Sequence, residues 1–561
     1  MKKRLLALFL ALAVCLCACG EDPQSNTGTN GGTKDPEQAD TSGMDFDFTD
    51  KDTSGDVTDG TVISAGQTIT AAGTYRLSGS VTGPVVIDAG DEKVQLVLEN
   101  ASIAGNNGPA IYVKSADKVF ITLVGENALS DGATYADTYV SESVDGVIFS
   151  RGDLTINGEG GLTVKASYKH GIVSKDDLVI AGGSISVNAP NVALSGKDCV
   201  KITGCSLNLA AGSDGIRSDN EEDADRGYVY IESGEISIFS GTDGIQAHTV
   251  LKCETPNIQI SASGKGMKAG SDILLAGGAY QINAQDDCVH SNNTVVISDG
   301  VLNLTSSDDG IHADTDLAIS GGEITVNQSY EGLEASKLMI SGGRMNITAS
   351  DDGMNAAGGN DGSAVGGRPG QGFFSSSTGE ISIVGGYILI NASGDGIDSN
   401  GPITLSGGVV LVSGPTSGMN GAFDCDGTAT VTGGYLIALG SNSMAQGFSS
   451  AENQGAALFS FSSQKGGTSF AVCDAEGNVV ISFTAEKTYA SAALTAPGIQ
   501  KGETYTVIVG GTATNADENG FASSGTVTGG TTLGTFTMSS LIMGSSGGGP
   551  GGGGGPGGRP R

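Results

Sequence analysis

The chain has 561 residues, with 28 Lys or Arg against 62 Asp or Glu and a formal net charge of −34, which excludes a nucleic-acid binder, whose phosphate contacts need a basic surface. Glycine supplies 92 residues and proline only 13, with no Gly-X-Y period, so collagen is excluded as well. A hydrophobic fraction of 38% is low for a helical enzyme but enough for a long, thin core between frequent turns.

Met1-Lys2-Lys3-Arg4 is a basic leader, and the apolar stretch Leu5 to Ala18 is too short to span a bilayer. Residues 1–18 are therefore predicted to be an export signal. Leu16-Cys17-Ala18-Cys19-Gly20 resembles a bacterial lipobox, which makes Cys19 the expected lipid acceptor and the outer face of a cell membrane the expected location. An ordinary cleaved signal is the alternative. No other stretch reaches 18 apolar residues, so a lipid anchor is the only membrane attachment predicted. Residues 19–56 are mostly Asp, Thr, Gly, Asn and Ser, which predicts a disordered tether.

Residues 57–144 contain alternating segments such as Val94-Gln95-Leu96-Val97-Leu98 and are predicted to form an N-terminal cap and irregular coils. Beyond them a small residue recurs at Gly146, Gly171, Ala193, Gly215, Gly244, Gly266, Cys288, Gly310, Gly332, Gly353, Gly396 and Gly418, mostly 22 residues apart. Within a unit, apolar pairs two apart, such as Val295 with Ile297 and Leu302 with Leu304, indicate short strands. Gly-Gly pairs at 321–322, 342–343, 385–386 and 407–408 mark turns between them. The prediction is an all-β chain, a parallel β-helix over 57–442. The repeat then stops, and runs such as Val479-Val480-Ile481-Ser482-Phe483 predict a small antiparallel β domain over 443–543. The Gly/Pro run 544–561 is predicted to be a disordered tail.

The residue before each turn glycine forms one column: Asp145, His170, Val192, Asp214, Asp243, Lys265, Asp287, Asp309, Glu331, Asp352 and Asp395. Two positions after the glycine is a second: Arg217, Gln246, Lys268, His290, His312, Glu334, Asn355 and Asp398. Stacked in register, carboxylates ~5 Å apart repel by about 3 kcal/mol at an effective dielectric near 20. Protonation, an interleaved base or a cation must relieve that. Asp-Gly is also an ordinary turn sequence, so a purely structural Asp column stays open. The doubled acids Asp286-Asp287, Asp308-Asp309 and Asp351-Asp352 favour a hard cation, and calcium, which takes six to eight oxygens, fits such a row best.

The predicted metal-facing residues are Asp214, Asp286, Asp287, Asp308, Asp309, Asp314, Glu331, Asp351 and Asp352, with Asp219 and Asp223 of the acidic insert as a second candidate group. Lys265, Lys268, His290, His312, Glu334 and Asn355 are the predicted ligand contacts. Zinc is expected only if the histidine rings converge. No stacked cysteine pair is predicted, and the six cysteines after Cys19 are expected to fill the core. No catalytic residue is assigned. If the chain is a lyase instead, Arg217, Lys265 and Lys268 are the bases well placed on the ladder.

The runs SDGIRSDN (213–220), GKGMKAG (264–270), DDCVHSN (286–292), SDDGIHAD (307–314), SYEGLE (329–334) and SDDGMNAAG (350–358) resemble the exported clostridial β-helix proteins known as carbohydrate-binding domain-containing. The resemblance runs from about Thr61 to Ser443. It implies a right-handed β-helix with a pectate-lyase-like fold, bound calcium and a plant polysaccharide ligand, notably polygalacturonate, without evident lyase activity. Neutral-sugar sites usually lean on stacked aromatics, especially Trp, and the chain has none. An acidic polysaccharide held through calcium is therefore the expected partner, bound by a monomer. A calcium-dependent polysaccharide lyase and a passive stalk or adhesin are the alternatives.

Overall fold

The computed structural model describes residues 40–57, 59–64, 66–356 and 379–544. The predicted signal, Cys19 and the Gly-rich tail from 545 lie outside the described residues, as do residues 357–378.

Alternating apolar residues make each repeat unit three short strands, and corners interrupt them. In the unit after Cys288 these are Val289–Ser291, Thr294–Ile297 and Val301–Thr305. Each pairs in parallel with its counterpart in the units on either side. The product is the predicted parallel β-helix, with about 16 turns. Its core is a set of in-register stacks: Ile273, Val295, Leu317, Leu338, Ile381 and Ile403 are successive partners, none more than 1% exposed. The corner glycines are sterically required, since a Cβ on Gly332 would lie 2.4 Å from the Gly353 carbonyl oxygen and 2.3 Å from Ile347. The second glycine of the Gly-Gly turns needs positive φ, 86° at Gly322 and 83° at Gly343.

The last predicted repeat position shifts. The Gly396 N–H donates to the Gly421 carbonyl, which puts Ala422, not Gly418, in the corner column and Asp424 below Asp398. Gly418 has positive φ in a longer turn, so a Gly at the right interval there reflects the turn and not the column.

The disordered tether predicted over 19–56 does not extend to residue 56: residues 19–39 lie outside the described residues, and the chain is ordered against the β-helix from Asp40. From there a strap crosses the second-strand face, with Met44, Phe46 and Phe48 packed on Tyr228 and Tyr230. A short helix, Asp50–Thr53, is started by a reciprocal Thr49–Asp52 capping box. Asp52, 1% exposed, meets Lys118 Nζ at 2.8 Å and accepts from Thr155 Oγ1 at 2.7 Å. The Asn157 amide donates to the carbonyls of Lys51, Asp52 and Ser54.

The C-terminal antiparallel strands are built onto the β-helix. Tyr489–Thr495 pairs antiparallel with Tyr435–Gly440, the last third strand, and with Ala456–Gln464, which closes an otherwise open sheet end. A second sheet holds Val479–Thr484, Ser469–Cys473, Thr504–Ala513 and Val527–Thr537 in that order. It packs on the outer face of the last third strands, where Leu389, Leu411 and Ile437 continue a column that reads Gln259, Gln281, Asn303, Thr325 and Asn346 where no sheet covers it. A cleft of about 780 Å³ at this seam is lined by residues such as Thr348, Asn391, Glu486 and Thr512, with none from the acidic corner.

A candidate cation and ligand site along one corner

Both predicted columns assemble. The N–H groups of Gly244, Gly266, Cys288, Gly310, Gly332 and Gly353 donate to the carbonyls of Lys265, Asp287, Asp309, Glu331, Asp352 and Asp395 in the next coil. Arg217, Gln246, Lys268, His290, His312, Glu334, Asn355 and Asp398 are successive register partners. The structural role left open for the aspartates is present too. Asp243 Oδ1 accepts the Lys265 N–H at 2.9 Å, Asp287 Oδ1 that of Asp309 at 3.1 Å, and Asp309 Oδ1 that of Glu331 at 3.2 Å. One oxygen thus ties each coil to the next and the other faces the neighbouring side chains.

In the first half of the corner, basic side chains fill the gaps between carboxylates. Lys265 Nζ lies 2.8 Å from Asp286 and 2.5 Å from Asp287. His290 Nδ1 is 2.8 Å from Asp287. His312 Nδ1 sits between Asp309 at 3.1 Å and Glu334 at 2.6 Å, and its Nε2 is 3.1 Å from Asp314. The two imidazoles stack with centroids 4.8 Å apart. Burial works against charge on Lys265 and His312, yet the surrounding carboxylates outweigh it and raise both pKa values. Burial likewise opposes ionised Asp287, but His290 and Lys265 hold it well below the usual carboxylate range. Asp308 has less help: burial and then Asp309, Asp287 and Asp286, opposed only by the more distant Lys265, push it up to about 7.

Among the described residues the second half has acids without bases. Oxygens of Asp352, Asp395 and Asp398 lie within 4.8 Å of one another, and among the described residues no ion pair engages them. Burial and then the neighbouring carboxylates raise Asp352 to about 8, and Asp398 to about 6. Burial, opposed by the Gly421 N–H and reinforced by Asp398, takes Asp395 to about 7. Gly394 leaves the space open, since a Cβ there would lie 2.2 Å from Asp351 Oδ1 and 2.3 Å from Asp352 Oδ1. Between the two halves, Glu331 and Glu334 are 3% and 0% exposed, and burial raises both. Asn355 Nδ2 donates to Glu331 at 2.8 Å, while among the described residues its buried Oδ1 meets no donor and, beyond the His312 ring, neither Glu334 oxygen finds one.

Other predicted residues are placed differently. Asp219 pairs with Arg217 at 3.3 Å, and Arg217 also reaches Asp214 at 3.4 Å. Asp223 accepts the Asp225 N–H within its own loop, and among the described residues no cluster of metal-ligating side chains includes Asp219 or Asp223. Lys268 lies 4.0 Å from Asp243. Asp395 and Asp398 belong to the two predicted columns but were not among the predicted metal-facing residues. They carry no doubled acid; the first column already sets Asp395 next after Asp352, and the fold adds Asp398 to the same grouping. The six cysteines of the described residues are free and buried.

A family model for carbohydrate-binding domain-containing protein matches residues 64–310 and 310–540. A carbohydrate-binding domain-containing protein of Acetivibrio thermocellus is 39% identical over 126 residues, which cover 22% of this chain and 44% of that protein. The chain thus matches somewhat less than half the length of that relative. A solved polysaccharide lyase-like protein from C. thermocellum shares 34% identity over 37% of this chain and 86% of its own, with a TM-score of 0.36.

Proposed function

Because the chain belongs to the carbohydrate-binding domain-containing protein family, we propose that it binds an acidic plant polysaccharide of the polygalacturonate class through calcium held on the acidic corner. The observation that carries this reading is the convergence of Asp352, Asp395 and Asp398 within 4.8 Å with no basic side chain among the described residues to neutralise them. Calcium suits carboxylates in irregular geometry and keeps coordination positions for ligand oxygens. Asp352, Asp395 and Asp398 would hold it, and Asp351, Glu331 and Asn355 border the same corner. The ion would also reconcile an acidic glycan with a net charge of −34.

Zinc is a weaker fit. The groupings that contain nitrogen donors, Asp287 with His290 and His312 and Asp309 with His312 and Glu334, share His312, whose imidazole, despite its burial, the surrounding carboxylates hold protonated and so closed to a metal. The lyase alternative is disfavoured because Lys265, the best-placed base, is tied to two carboxylates that keep it protonated. The lipobox-like Leu16 to Gly20 supports display from a lipid anchor on Cys19, and no helix of the described residues is long and apolar enough to cross a membrane.

Calorimetric titration of the purified protein with calcium tests the metal assignment. Wild type should bind, and Asp352→Asn and Asp398→Asn should each weaken binding about tenfold or more while keeping the β-sheet circular dichroism. Undiminished calcium affinity in both variants would remove the assignment.

A further inference from the structure

The acidic corner also carries an aromatic ring that the reading above leaves unused. Tyr330 occupies the position held by Asp308 in the coil before it and Asp351 in the coil after. Its N–H donates to the Asp308 carbonyl at 2.7 Å, and its carbonyl accepts the Asp351 N–H at 2.9 Å. The side chain is 39% exposed. Among the described residues one other aromatic ring is exposed to that degree, Phe239 on the third strand of an earlier coil. Tyr330 belongs to none of the apolar clusters, so core packing does not account for it. Its phenol interacts with the Asp351 carboxylate, next to Asp352 in sequence.

Pyranose rings present a face of C–H groups that lies well on an aromatic ring, and a Tyr adds a polar tip for a hydroxyl. One coil, about 5 Å of rise, separates this ring from the carboxylates that gather Asp395 and Asp398. We propose that Tyr330 is the platform for one sugar ring of the bound acidic glycan, turned so that the sugar's carboxylate faces the cation held on the next coils. This rests on the function proposed above and adds a binding residue to it. A bare carboxylate in that place, as in the flanking coils, would repel the glycan, whereas an aromatic ring gives it an uncharged seat between two acids.

The test is calorimetric binding of polygalacturonate oligomers in calcium by the full chain, with wild type, Tyr330→Ala and Tyr330→Phe, each also titrated with calcium alone. Calcium binding should be equal in all three, which shows that the variants are folded. Tyr330→Ala should lose about fivefold or more in oligomer affinity, and Tyr330→Phe should stay within about twofold of wild type. An alanine variant that binds oligomers like wild type, or a phenylalanine variant as weak as alanine, overturns the platform alone. Wild type that binds calcium but no oligomer overturns the glycan reading, and the platform with it.

Discussion

One oxygen of Asp287 holds the N–H of Asp309 while the other meets Lys265 and His290, so the residue is both a link between coils and a member of a charge row. Removing Lys265 strands two carboxylates, one of them nearly buried. Breaking such a pair from one side costs several kcal/mol where burial is complete, and less here because Asp286 is partly exposed. Lys265→Ala should therefore lower stability by about 2 kcal/mol in thermal denaturation, and calcium should restore part of the loss by taking the place of the ammonium. A variant as stable as wild type would mean that the row needs no cation there. Asp352, Asp395 and Asp398 were harder to recognise from the chain alone. The columns already set Asp395 after Asp352 and Asp398 after Asn355 across the 43-residue interval between Gly353 and Gly396, but no doubled acid marks either residue, and the closeness of all three carboxylates belongs to the folded corner.

The strap had no sequence signal, because its anchoring residues have no period and their partners lie far along the chain, as with Asp52 against Lys118 and Thr155. The strands were legible for the opposite reason: every coil repeats the same alternation against an identical neighbour. The strap's attachment is pH-dependent. Burial alone would raise the Asp52 carboxyl, but Lys118, Thr49 and Thr155 outweigh it and lower its pKa from 3.8 to about 2. A group depressed on folding stabilises the fold fully above its unfolded pKa and loses that contribution as pH falls toward its folded value. Asp52→Asn should thus destabilise the strap by about 2 kcal/mol at neutral pH, read as faster proteolysis near residue 50, and the difference from wild type should fade between about pH 4 and pH 2. A difference unchanged at pH 2 would contradict the ion-pair account.

The β-helix and the C-terminal sheets share one apolar face, built from Tyr387, Leu389, Val409, Leu411, Tyr435 and Ile437. A chain ending at residue 442 would expose it and leave Tyr435–Gly440 as an open edge. Such a chain should self-associate in sedimentation, and a stable monomer would show that the β-helix closes without its partner sheet. That dependence was not visible in the sequence, where the loss of the repeat after about Ser443 predicted a separate domain. The account of the molecule as a whole stands on a bound ion linking two like-charged polymers. Retention of the purified full-length protein on immobilised polygalacturonate, with calcium and again with a chelator, tests it most directly. The account predicts retention with calcium, release by the chelator and recovery when calcium is returned; retention unaffected by the chelator, or none in calcium, would contradict it.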